Sequence, residues 1–85
     1  MDRDIIFLKI KDILTRNRFI PDDIKLTEKS KLDNDLLLDS LDMFEIIMEI
    51  EEEFNIDIED SEIIDMKTVS DLITLLQKRI KTWIY

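Results

Sequence analysis

The chain has 85 residues, 45% of them hydrophobic, and its 21 acidic and 12 basic side chains give a net charge of −9. That is apolar material for one core and too little length for two, so a single domain over residues 1–85 is expected. With no cysteine, histidine or glycine, disulfides, thiol and imidazole catalysis, zinc–thiolate sites, P-loops and dinucleotide fingerprints are excluded.

The first periodic segment runs from Asp4 to Arg16, with Ile6, Ile10, Ile13 and Leu14 on one helical face and Lys9, Lys11 and Asp12 on the wet side. Asn17 and Pro21 end it. From Asn17 to about Leu38 the pattern predicts a long loop, pinned to the core by Ile20, Ile24, Leu26 and Leu32. A second helix is expected from Ser40 to Phe54. Asp39 is its N-cap with Asp42 three residues on, and Met43, Ile46, Ile47, Ile50 and Phe54 form its buried stripe. A short turn of helix around Asp60–Asp65 should contribute Ile63 and Ile64. Thr68 caps the last helix, with Asp71 at its third position. Val69, Leu72, Ile73, Leu76, Ile80 and Ile84 repeat along it, and Lys78, Arg79 and Lys81 suit its C-terminal end. Asn55–Ile58 alternates, but four residues without a partner strand make no sheet. The expected fold is all-α: three long helices, one short helix and a long first loop.

No apolar run approaches the roughly 20 residues of a membrane span. Met1-Asp2-Arg3-Asp4 does not begin a secretory signal. Together these predict a cytoplasmic protein with no membrane span. Trp83 and Tyr85, near Lys78, Arg79 and Lys81, fit a helix end packed on the core better than a membrane contact. Two stretches that begin like calcium loops, at Asp33 and Asp57, lack the required glycine and closing glutamate, so no metal site is expected.

Charge is segregated. From Asp33 to Asp65 there are fourteen acidic residues and no lysine or arginine. Such a segment repels phosphate backbones, which argues against nucleic acid, and attracts basic protein surfaces. Within it, Leu41, Phe44 and Met48 lie at i, i+3 and i+7, a second apolar stripe displaced from the core stripe. Asp42, Glu45, Glu49 and Glu52 follow the same side. An apolar strip rimmed by acids suits docking onto a basic, partly apolar groove. Phe44 has a competing place, half buried against the long loop.

Ser40 is the chemical candidate. It stands at the first position of a helix, beside the positive end of the dipole and free backbone N–H groups, where a phosphate ester is well held. Taken alone, an ordinary helix-start serine is the better reading of it.

The run Asp35-Leu36-Leu37-Leu38-Asp39-Ser40-Leu41-Asp42, followed by Glu45, Met48, Glu51-Glu52-Glu53-Phe54, Ile56 and Ile58 and later by Lys67-Thr68-Val69, resembles the acyl carrier protein signature. The resemblance covers nearly the whole chain. It implies a four-helix bundle that is a non-catalytic carrier, with 4′-phosphopantetheine from coenzyme A attached covalently to Ser40. An acyl group would ride on the arm's thiol as a thioester, so a chain without cysteine can take part in thiol chemistry. Implied partners are a phosphopantetheinyl transferase and the acyl-loading and acyl-using enzymes of fatty acid, lipid or specialised biosynthesis, with the carrier itself a monomer. Asp39, Leu41, Asp42, Glu45, Met48 and Glu52 match positions that touch those enzymes.

Leu37 and Leu38 depart from the pattern, because many acyl carriers have a glycine and a small residue there. They remove easy access to positive φ and add apolar bulk beside the prosthetic group. Glu49 stands where small residues are common. An aminoacyl or peptidyl carrier and an unmodified acidic adaptor are the competing readings. The intact Asp39-Ser40-Leu41 argues against the adaptor, and the acid-rich second helix argues against the peptidyl carrier.

Overall fold

A computed structural model describes residues 2–80. Four helices follow in order: α1 (Arg3–Arg16), α2 (Ser40–Phe54), α3 (Asp60–Ile64) and α4 (Val69–Ile80). The expected helical architecture is present. Among the described residues there is no strand, only an isolated antiparallel bridge between Lys31 and Thr68. Lys81, Trp83, Ile84 and Tyr85, assigned above to the last helix and its end, lie outside the described residues.

α1 packs against α2 and α4. The seam is built mainly of isoleucine: Ile6, Ile10, Ile13 and Leu14 of α1, Ile46, Ile47, Ile50 and Phe54 of α2, and Val69, Leu72, Ile73, Leu76 and Ile80 of α4 are all buried. These are the residues that helical periodicity selects. Two expectations fail. Met43 is half-buried, one turn ahead of the sealed run that begins at Ile46. Ile64 is 77% exposed while Ile63 is buried. The short α3 turns Ile63 toward the core and leaves Ile64, about 100° further round, facing solvent.

The 17–38 loop is pinned as expected, with Ile20 and Leu32 buried and Ile24 and Leu26 partly so, and Leu36 and Leu38 are buried as well. Backbone hydrogen bonds fasten it to the start of α4: Leu32 N–H to the Lys67 carbonyl at 2.9 Å, Val69 N–H to Ser30 at 3.0 Å, and Ser70 N–H to Glu28 at 2.8 Å. Arg3 completes the attachment. Its guanidinium donates to Glu28 at 2.6 Å, Ser70 at 3.1 Å, Thr74 at 3.1 Å and Gln77 at 3.0 Å, joining α1, the loop and α4. A rigid fork with five donors suits that task.

A chain without glycine must put other residues where φ is positive. Three occur among the described residues, Arg18 (63°), Leu37 (58°) and Asn55 (55°). After α1, Arg18 N–H donates to Thr15 and Phe19 N–H to Leu14, the two bonds of a Schellman ending. Asn55 ends α2 in the same left-handed region, which asparagine tolerates. Leu37 follows a helical turn in which Asp35 and Leu36 N–H both donate to the Lys31 carbonyl. The left-handed region costs a residue with an ordinary Cβ roughly 1–2 kcal/mol. Arg18 and Leu37 bear that cost.

Candidate functional site: the first turn of α2

Ser40 is exposed at the first position of α2. A reciprocal capping box positions it. Asp42 N–H donates to the Asp39 carboxylate at 2.8 Å, and Asp39 N–H donates to the Asp42 carboxylate at 3.2 Å. Met43 N–H goes to the Asp39 carbonyl at 3.0 Å. Ser40 and Leu41 carry the other two of the four N–H groups that have no acceptor within the helix. An exposed serine, two helix-start amides and the positive end of a 15-residue helix fit a phosphodiester. The carboxylates of Asp39 and Asp42 are turned toward backbone amides, which offsets part of their repulsion of such a group. A phosphopantetheine ester therefore fits here.

Below Ser40, α2 displays the second stripe. Leu41 is 65% exposed, Phe44 45% and Met48 63%. Phe44 is the least exposed of the three. Glu45 and Glu52 are exposed alongside, while Asp42 and Glu49 are half-buried. Of the residues that periodicity assigned to docking, Leu41, Phe44, Glu45, Met48 and Glu52 are thus open to solvent, while Asp42 and Glu49 lie nearer the core side, turned away from Ser40 around the helix.

The two leucines ahead of the cap part company. Leu38 is buried, its N–H donating to the Leu32 carbonyl at 3.0 Å, so it adds no bulk outside. Leu37 is 81% exposed, the highest value among the exposed large hydrophobic side chains of the described residues. Its projection is read from sequence only in part: the missing glycine is visible there, but which leucine turns outward depends on the backbone.

Two arginines, Arg3 and Arg79, hold the scaffold in ways that sequence spacing does not signal. Arg79 donates to both carboxylate oxygens of Glu62 at 2.5 Å and to the Asp57 carbonyl at 2.6 Å, tying α4 to α3 and to the segment before it. The Glu62 carboxyl is held below its ordinary value, first by the Glu59 N–H and also by Arg79, against partial burial. Asp71, which accepts from the Lys67 and Thr68 N–H groups at 2.9 and 3.1 Å, is likewise lowered, chiefly by the Lys67 amide. Thr68 returns the contact by accepting from Asp71 N–H at 3.2 Å, which makes it the cap expected for α4.

A helical bundle that offers a capped, solvent-facing serine at the head of an acidic helix is the arrangement of a carrier domain. The family model described as "Phosphopantetheine attachment site" matches residues 10–76. The acyl carrier protein of Thermotoga maritima is 33% identical over 78 residues, 92% of this chain and 95% of that one. That of Lactobacillus acidophilus is 39% identical over 77 residues, 91% and 95%. The crystal structure of an acyl carrier protein from Thermotoga maritima superposes with a TM-score of 0.84 at 29% identity, covering 96% of this chain and 94% of that chain. The chain belongs to the acyl carrier protein family, whose members carry their cargo on 4′-phosphopantetheine.

Proposed function

We propose that Ser40 is the residue that takes the arm, and that the protein works as a cytoplasmic, monomeric, single-domain carrier with no catalytic role of its own. The observation that carries this reading is the exposed serine at the capped start of α2. Attachment makes a bond from the Ser40 oxygen to the phosphorus of coenzyme A that bears pantetheine. The pyrophosphate link breaks, adenosine bisphosphate leaves, and the hydroxyl proton passes to a base of the transferase. Once attached, the arm supplies a thiol that holds acyl groups as thioesters.

The chain's own residues present and recognise. Asp39 and Asp42 hold the helix start in register, so the hydroxyl faces outward. Leu41, Phe44 and Met48 offer apolar surface, and Glu45, Glu49 and Glu52 bias approach toward basic enzyme surfaces: the transferase first, then the enzymes that load and use acyl groups in fatty acid, lipid or specialised biosynthesis. The same charge disfavours nucleic acid. Among the described residues no helix is long and apolar enough to cross a membrane.

Incubating the apo protein with coenzyme A and a broad-specificity phosphopantetheinyl transferase tests the assignment by intact mass. A gain of one arm in the wild type and none in Ser40→Ala is the expected result. No gain in the wild type, or an equal gain in the variant, removes it.

A further inference from the structure

Of the three positive-φ positions among the described residues, two carry polar side chains, Arg18 and Asn55, and Leu37 carries an apolar one. Leu37 is also the position where leucine gains least in the free protein. It is 81% exposed, so burial returns almost nothing to offset the left-handed backbone. It precedes Ser40 by three residues, on the opposite side of the attachment point from Leu41 in sequence. Between Asp33 and Asp42 the neighbouring charges are Asp33, Asp35, Asp39 and Asp42, with no base among them. Leu37 therefore adds an apolar projection, in an acidic stretch of the chain, that lies outside the α2 stripe.

We propose that Leu37 is a specificity-determining contact for the phosphopantetheinyl transferase, received by an apolar recess inside that enzyme's basic docking rim. This rests on Ser40 being the attachment point. The transferase is the indicated occupant because it must bring a reacting phosphorus to the Ser40 oxygen itself, which places its surface over the residues flanking that serine. Enzymes acting on the far end of the arm have no such obligation. The acidic stretch supplies the charge match, and the leucine supplies the apolar area that burial on docking would use.

The test measures initial rates of arm transfer from coenzyme A by the phosphopantetheinyl transferase of the protein's own host at varied concentrations of full-length apo protein, together with thermal melting. Leu37→Gly relieves the backbone, so its melting temperature should equal or exceed that of the wild type. Its KM should rise about tenfold with kcat within about twofold, as expected when one leucine side chain no longer contributes to binding. Leu37→Met keeps an apolar side chain of similar volume and should retain a near-wild-type KM. If the wild type is loaded at Ser40 and Leu37→Gly shows an unchanged KM, or Leu37→Met fails as badly as Leu37→Gly, the contact is refuted while the attachment point stands. If the wild type is not loaded at all, the attachment point itself fails, and this contact with it.

Discussion

The α1–α4 seam and the outward face of α2 are both rich in large apolar side chains, and they use them in opposite ways. Ile6, Ile10, Ile73, Leu76 and Ile80 are sealed from water, whereas Leu41, Phe44 and Met48 remain open. α2 contains both arrangements in one helix, with Ile46, Ile47, Ile50 and Phe54 turned inward and the second stripe turned out. β-branched isoleucine, stiff at its first torsion, dominates the inner side. Flexible or flat side chains that adapt to partners, such as methionine and phenylalanine, lie on the outer one. On the proposed reading stability and recognition fall to different faces, so substitutions can separate them.

The largest effect should come from the seam. Ile73 is fully buried, so Ile73→Ala leaves a cavity in the core and should cost about 2–5 kcal/mol by denaturant titration. A cost below about 1 kcal/mol would mean that the seam can collapse around the gap. The face should behave in the reverse manner. Leu41→Ala removes a side chain that the free protein leaves in water, so stability should change by no more than about 0.5 kcal/mol. Its rate of arm transfer at limiting protein concentration should nevertheless fall severalfold. A large loss of stability here would erase the distinction between the two faces.

The smallest effect sharpens the comparison at its margin, where α3 and α4 are tied by charge. Glu62 and Asp71 both titrate below their ordinary values of 4.5 and 3.8, held down chiefly by the Glu59 and Lys67 amides. A carboxylate whose folded value is depressed contributes stability that is complete above its unfolded value and is lost as pH falls through the folded one. The melting-temperature gap between the wild type and the Glu62→Gln/Asp71→Asn variant should therefore be widest above about pH 4.5 and close as the solution is acidified further. A gap that stayed constant down the acid limb would assign those contacts to packing.

Much of this division is legible in the sequence, because local chemistry dictates it. Asp39 and Asp42 mark the start of α2, and the offset between the Ile46/Ile50 and Leu41/Phe44/Met48 stripes separates its faces before any coordinates are seen. What escapes is non-local or rotational. Arg3 reaches partners 67, 71 and 74 residues away, and no periodicity encodes such a pairing. Ile63 and Ile64 are chemically alike, and only the orientation of a five-residue helix decides which one is buried. Leu37 and Leu38 are equally alike, and a single left-handed residue sends one out and the other in.

The capping box at the head of α2 has a consequence for anyone mapping recognition by removing charges one at a time. Asp39 and Asp42 fasten the helix that displays the serine, so neutralising either would fray the platform, and a transferase would then register a loss indistinguishable from a missing ion pair. Glu45 and Glu52 lie further along the same helix and take no part in that clasp. Reversing their sign is the cleaner way to ask how much of the attraction is electrostatic.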